Sequence, residues 1–339
     1  MRAWTLPRPA GIDSLVLREQ ATPRPGPGPG QVLVRMHAAS LNYRDLMVVT
    51  GRYARGAPLA DLVPLSDGAG EVAEVGPGVS RVKPGDRVAA IFMQNWLGGD
   101  IEPENAASSL GGAIHGVLAE QVVFSQDGLV KLPEHLSFED GATLPCAAVT
   151  AWNALYGGRP LRVGESVLVL GTGGVSIFAL QIAHAAGARV IATSSSDAKL
   201  AHATMLGASD GVNYRSHPEW HEQVLALTGR RGADHVVDVG GSGTLSRSIE
   251  AARIGGQVHQ IGVLTGSGEI NPAAAMRRGL ILRGIYVGSR QMFEAMNRAI
   301  DLHRIKPVID RVFGFEQAPD AYRHLQGQTH VGKVVIRIP

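Results

Sequence analysis

The stretch "VLVLGTGGVS" places Gly171, Gly173 and Ser176 at the spacing of a dinucleotide-binding loop, with serine in the third glycine's place. Gly171 permits a tight turn. Gly173, followed by Gly174 and Val175, lets the backbone approach a pyrophosphate at a helix N-terminus, where unpaired N–H groups favour negative charge. Ser176 adds a small side chain where helix and strand pack closely. A glycine pattern alone is weak. This one follows the strand-like "ESVLVLG" (165–171) and opens the helix-like "GVSIFALQIAHAAGA" (174–188), the context that gives it meaning.

A second stretch, "VIATSSSDAK" (190–199), reads as a strand running into a turn. Nucleotide-binding folds often put a carboxylate there, which binds the adenosine ribose and repels a 2′-phosphate. Here Ser194 stands in the acid's place. Ser195, Ser196 and Lys199 can donate to a dianion, Tyr214 can flank the adenine, and Arg215 adds charge. The expected cofactor is therefore NADPH rather than NADH. A capped turn before a helix would use the same serines and is compatible with that role.

Other chemistry is excluded or weakened. Cys146 is the one cysteine, so neither an intramolecular disulfide nor a zinc site of several thiolates can form. "HPEWH" (217–221) spaces two histidines like a helical metal pair, but Pro218 suggests that the helix starts after His217, and no third ligand is visible. It reads as a solvated helix start. A net charge of +2 without a basic block argues against nucleic acid and anionic membranes as partners. The first residues lack the layout of a signal peptide, and no apolar run approaches membrane-spanning length. A cytoplasmic protein acting on a small-molecule substrate is expected.

The elements that must position these residues fall into two kinds. Short apolar runs punctuated by Pro and Gly fill the first 125 residues: "QVLVRMHAASL" (31–41), "GEVAEVG" (70–76), "DRVAAIFM" (86–93) and "GVLAEQVVF" (116–124). "RPGPGPG" (24–30) reads as a rigid turn. From about residue 148 strands and helices alternate: "RVIATS", "DAKLAHATMLGA", "GVNY", "EWHEQVLALTG", "DHVVDVG", "TLSRSIEAARIGG" as a helix, "QVHQIGV" and "LILRGIYVG" (280–288) as a strand. That alternation predicts a doubly wound parallel sheet, an α/β fold. "RQMFEAMNRAIDLHRI" is an amphipathic helix, and "HVGKVVIRIP" closes the chain as a strand.

In order and spacing, "GAGEVAEVGPGVSRVKPGDRV" (68–88), "LPCAAVTAWNAL" (144–155), "LVLGTGGVS" (168–176), "VVDVGG" (236–241), "ARIGGQVHQIGVLTG" (252–266) and "HVGKVVI" (330–336) resemble the medium-chain dehydrogenase/reductase superfamily. The resemblance covers nearly the whole chain. It implies a GroES-like β-rich catalytic domain over residues 1–147 and 290–339, and a Rossmann NADP-binding domain over 148–289. Zinc-dependent members bind the metal through two cysteines and a histidine followed by a glutamate. Alignment puts Asn42 at the first cysteine, Ser66 at the histidine and Asp67 at the glutamate; only Cys146 matches. The structural zinc lobe is missing too. The chain is thus similar to the zinc-free branch of quinone and enone reductases, and "LNYRD" (41–45) resembles enoyl reductase modules of polyketide synthases.

The resemblance also implies site residues. Tyr43 would bind the carbonyl or relay a proton, and Asn42 would hold the substrate oxygen or the nicotinamide ribose. Thr150 would lie near the nicotinamide, edged by Ile261, Gly262 and Val263. Gly288, Ser289 and Arg290 would reach the cleft, and Lys333 would hold cofactor phosphate or substrate charge. Trp96 and His115 would lie in a loop near the substrate. The expected activity is metal-free, NADPH-dependent hydride transfer to a quinone or α,β-unsaturated carbonyl. A zinc-independent alcohol or aldehyde dehydrogenase is a second reading, and a non-catalytic NADPH-binding protein a third. By analogy, a homodimer is expected, with "LILRGIYVG" as an edge strand.

Overall fold

The computed structural model describes residues 1–20, 26–53, 59–264, 266, 268–269 and 271–339. Arg24 and Pro25 of the "RPGPGPG" turn and Thr265 of the "GVLTG" stretch lie outside the described residues. The chain divides into two compact units, Met1–Val149 with Gly288–Pro339, and Thr150–Val287. Among the described residues no helix is long and apolar enough to cross a membrane.

The first unit begins with the hairpin of β1 (Arg2–Thr5) and β2 (Val16–Glu19). Its spine is the eleven-residue β3 (Gln31–Leu41), antiparallel to β4 (Asp67–Val75). Then follow β5 (Arg87–Ala90), β6 (Gln121–Ser125) and β7 (Leu129–Lys131). Pairing of β6 begins only at Gln121, because Val117 and Leu118 of "GVLAE" instead donate their N–H groups to the Pro64 carbonyl. Gly70 lies where β3 and β4 shift register; a Cβ there would stand 2.2 Å from the Arg35 carbonyl oxygen, so only glycine fits. Met36, Leu41, Leu118, Phe124, Phe315 and Tyr322 fill the core.

The second unit is a six-stranded parallel sheet. Its strands are β8 (Ser166–Leu170), β9 (Arg189–Ser194), β10 (Asp210–Asn213), β11 (Ala233–Asp238), β12 (Ala252–Gln260) and β13 (Ile281–Gly284). They lie in the order β10-β9-β8-β11-β12-β13, the doubly wound arrangement that the alternation predicts. The order reverses between β8 and β11, and ligands of such sheets bind beyond the strand ends at that point.

Three local readings need correction. The helix expected across "TLSRSIEAARIGG" stops at Ala251, and Ala252–Gln260 is one strand, because parallel pairing with β11 outweighs the local helical pattern. The strand expected over 280–288 is confined to Ile281–Gly284, which runs out of pairing partners beyond Gly284. His221 is not solvated. The helix starts at Trp220, and His221 is buried with Nε2 3.0 Å from Glu250 of the next helix.

The final segment returns to the first unit. It supplies β14 (Ile309–Phe313) and β15 (Lys333–Arg337), which complete a sheet ordered β14-β15-β3-β4-β5-β7. Val334 pairs with Leu41, and Ser40 pairs with Asp67. This register brings the start of β15, the end of β3 and the start of β4 to one edge of the sheet.

The second unit buries two histidines side by side. His235 Nδ1 lies 3.0 Å from His259 Nε2, and His235 Nε2 faces Glu165 at 3.3 Å and Arg159 at 3.1 Å. Burial, aided by the Arg159 charge, pushes His235 down to about 4. Burial and the neighbouring His235 push His259 down to about 3. The unfolded chain protonates both near pH 6.5, the folded chain only near those lower values. Their contribution to stability is therefore full above pH 6.5 and is lost as pH falls toward 3. Asp45 has the opposite sign: burial raises it from 3.8 to about 6, so protonation there favours the folded state as pH falls through that window. The free energy of urea unfolding should drop between pH 6.5 and 4.5, and the drop should shrink in His259→Gln. An unchanged pH slope in that variant would contradict the assignment.

Candidate functional site

In the second unit, the loop after β8 has the form that its glycines predict. Gly171 has φ 74°, the left-handed conformation that a side chain disfavours. Gly173 precedes the helix Gly174–Ala185, whose N-terminus no side chain caps. A Cβ on Gly173 would meet nothing within 4 Å, so the space beside this helix end is open. Val175 is half-buried in the first turn. Ser176 Oγ donates to the Leu170 carbonyl at 2.6 Å, which satisfies the hydroxyl that replaces the third glycine. Uncapped N–H groups beside open space suit a pyrophosphate, so these residues fit a dinucleotide.

The neighbouring strand ends complete this face. β9 ends on Ser194, which is buried and accepts from the Ser196 N–H at 3.4 Å. Ser196 caps the helix Asp197–Met205, and Ser195 and Lys199 are half-buried beside it. The nearest acid, Asp197, is held by Asn213 Nδ2 at 2.7 Å. Tyr214 is exposed, and its N–H bonds the Ser194 carbonyl at 3.0 Å. After β12, Ile261 N and Gly262 N reach the Asp238 carbonyl at 2.8 and 3.3 Å, and Val263 is exposed. A Cβ on Gly262 would stand 1.7 Å from the Val239 oxygen.

Asp238 itself was not singled out from the sequence. Buried at the end of β11, its Oδ1 accepts from Gly240 N, Gly241 N and Thr244 Oγ1 at 2.9, 3.1 and 2.7 Å, and its Oδ2 accepts from Ser248 Oγ at 2.7 Å. Those four bonds shape the turn beside the switch point. The acid in "VVDVGG", ahead of two glycines, was the available signal.

In the first unit, the shared sheet edge assembles a buried polar centre. Lys333 Nζ donates to the Leu41 carbonyl at 2.7 Å and to Asn42 Oδ1 at 2.5 Å, and lies 3.8 Å from Asp67 Oδ2. Asp67 Oδ1 accepts from Ser66 Oγ at 2.7 Å and Oδ2 from Cys146 N at 3.1 Å. Burial pushes the Asp67 carboxyl up, against the pull of Lys333, Ser66, Asn42 and the Cys146 amide. Cys146 sits in a π-helical turn, Leu144–Ala148. Burial, with Asp67 nearby, pushes its thiol up, so it stays protonated at neutral pH.

Asn42 precedes the helix Tyr43–Val49, and its N–H donates to Asp45 Oδ2 at 2.7 Å. Burial raises the Asp45 carboxyl to about 6, partly offset by Arg44. Arg44 donates to the Leu110 carbonyl at 2.8 Å and lies 4.7 Å from the ring centres of both Tyr53 and Phe92. Tyr43 is half-buried against the core, and its hydroxyl makes no hydrogen bond among the described residues.

Other expected residues have structural partners. Ser289 caps the helix Arg290–Leu302, and Arg290 pairs with Asp127 at 2.9 Å. Gly288 packs against Val149, where a Cβ would come within 2.6 Å of its side chain. In the second unit Thr150 is buried. Trp96 is buried with its indole N–H on the Gly99 carbonyl, and His115 Nδ1 accepts from Val63 N at 3.1 Å.

Zinc prefers thiolate, imidazole and carboxylate ligands. The donors here are a carboxamide, a hydroxyl, a single thiol and one carboxylate, with an ammonium already among them. The residues do not fit a zinc centre. Among the described residues, no group of three or more His, Cys, Asp or Glu side chains is placed to hold a metal.

Comparison with known proteins adds to this geometry. The profile of the alcohol dehydrogenase GroES-like domain matches residues 28–134, and that of zinc-binding dehydrogenases matches 174–301. A zinc-type alcohol dehydrogenase-like protein of Schizosaccharomyces pombe is 44% identical over 97% of this chain and 96% of its own. Human quinone oxidoreductase is 29% identical over 99% of this chain and 97% of its own. The crystal structure of a putative alcohol dehydrogenase from Sinorhizobium meliloti 1021 superposes with a TM-score of 0.91 at 41% identity, covering 99% of this chain and 98% of that one.

The open surroundings of Gly173 separate its role in binding from its role in folding. Gly173→Val should cost no more than about 1 kcal/mol of stability, the scale of a poor N-cap residue, because its backbone is extended and its Cβ meets no atom. The same variant should weaken dinucleotide binding at least about tenfold by filling the pyrophosphate's approach. Unfolding curves and fluorescence titration check the pair. Unchanged affinity would remove this loop from the site.

Proposed function

The chain belongs to the medium-chain dehydrogenase/reductase superfamily and is an NAD(P)H-dependent oxidoreductase; within it, we propose a metal-free, NADPH-dependent reductase of quinones or α,β-unsaturated carbonyls. The observation that carries this reading is the polar centre, where Lys333 donates to Asn42 and pairs with Asp67 at 3.8 Å in place of a set of metal-binding side chains. Without a Lewis acid, an unactivated ketone loses several kcal/mol of charge stabilisation. A conjugated acceptor spreads the incoming charge over its π-system and needs only hydrogen bonds at its oxygen.

The residues divide the work by unit. Gly171, Gly173, Gly174 and Val175 would hold the pyrophosphate, and Ile261, Gly262 and Val263 the carboxamide edge. Ser195, Ser196, Lys199 and Arg215 would favour the 2′-phosphate, since β9 ends on Ser194 rather than an acid. The bound nicotinamide supplies the hydride, which adds to the conjugated carbon. In the first unit, the Tyr43 hydroxyl and the Asn42 amide would donate to the oxygen that gains charge, and Tyr43 or water would return a proton. A homodimer through the edge strand β13, where Ile281 and Leu282 are exposed, is part of the same reading.

NADPH oxidation should be followed with a quinone, a cyclic enone and the matching saturated ketone. Conjugated acceptors should exceed the ketone at least about a hundredfold, the rate equivalent of ~3 kcal/mol. NADPH should be preferred over NADH. Equal reduction of the ketone would favour the zinc-independent alcohol dehydrogenase reading, and cofactor binding without turnover the non-catalytic one. Tyr43→Phe should lower kcat by about ten- to a hundredfold, a typical cost for one donor at a developing oxyanion.

A further inference from the structure

Lys333 is held in place by the chain on both sides. At Gly332 the backbone has φ 76°, and a Cβ there would stand 2.2 Å from the Val308 carbonyl oxygen, so the chain passes only as glycine. Lys333 N then bonds that same carbonyl at 2.9 Å. Because Val334 pairs with Leu41, the residue before it stands beside the residue after Leu41, which is Asn42. The Lys333 side chain is 3% exposed. A lysine that serves a solvated phosphate would keep its ammonium in water; this one is spent inside the unit.

An ammonium has only donors. Asn42 must therefore turn its carbonyl oxygen to Lys333; its NH2 group, which also pulls on Asp67, has two N–H donors and keeps one for a further acceptor. A cation on the oxygen also polarises the amide and strengthens its N–H donors. Asp67 supplies the counter-charge and is fixed in turn by Ser66 and the Cys146 amide. We propose that Lys333 is a positioning residue, an internal cation that orients and polarises the Asn42 carboxamide toward the substrate's carbonyl oxygen. The proposal rests on the reading of Asn42 as a donor to that oxygen.

The test compares Lys333→Met, Lys333→Arg, Asn42→Ala and the double variant Lys333→Met/Asn42→Ala. Lys333→Met/Asp67→Asn is added because it removes both charges together and so avoids an unpaired buried carboxylate. With a quinone, Lys333→Met should lower kcat about tenfold or more while the KM for NADPH changes less than about twofold. Lys333→Arg should recover part of the loss, and the charge-free pair should show the same loss as Lys333→Met. In the Asn42→Ala background, Lys333→Met should cost little more, because the two residues act as one unit.

A second readout needs no turnover. The side-chain amide signals of Asn42 in 15N-labelled protein, identified by their loss in Asn42→Ala, should move in the charge-free pair. Signals that stay in place overturn the proposal. So does a raised KM for NADPH with unchanged kcat, which would make Lys333 a cofactor-phosphate residue. If the signals move but wild-type protein reduces no conjugated acceptor, the positioning role stands and the reductase reading falls.

Discussion

The ion pair between Lys333 and Asp67 governs the first unit's polar centre. Asp67 is fully buried, and an unpartnered carboxylate there would cost a large share of the stability of a typical domain. Lys333 offsets that cost from 3.8 Å while bonding Leu41 and Asn42. Removing one partner of such a pair typically destabilises by about 3–5 kcal/mol, whereas removing both is far milder. The pair therefore constrains more than its own geometry. It fixes which way the Asn42 carboxamide faces, and it ties β15 to the ends of β3 and β4.

The second unit solves a related problem with backbone groups. The end of a parallel strand leaves N–H and C=O groups unpaired. Asp238 collects two of those N–H groups and two hydroxyls on its carboxylate, while its carbonyl takes Ile261 N and Gly262 N. The loop after β8 does the reverse and leaves the N–H groups at Gly173 without a side-chain cap. A structural turn fills such positions with Asp, Ser or Thr. An open, uncapped helix end beside saturated neighbours is the arrangement that an anionic ligand completes.

What the sequence reveals depends on how far apart the interacting residues lie. Gly171, Gly173 and Ser176 act within one turn, so their spacing is legible directly. The serines of "TSSS" are equally local, and Ser196 proves to be the helix cap. Lys333 and Leu41 are 292 positions apart, and only strand register brings them together. No local pattern distinguishes a lysine directed inward from one at a phosphate. His221 was misread for the same reason, since its partner Glu250 belongs to another helix. "ARIGG" extends a helical pattern locally, and pairing with β11 decides otherwise. Chemistry carried by contiguous residues could be read, and chemistry assembled by the sheet could not.

In the proposed reading an ammonium, not a metal ion, organises the charge at this polar centre. The most direct measurement is turnover of one conjugated acceptor before and after exhaustive chelation, with bound zinc counted by mass spectrometry and zinc then restored. On that reading zinc stays far below one per chain, and kcat neither falls on chelation nor rises on zinc addition. Activity lost on chelation and regained with one zinc per chain would contradict it.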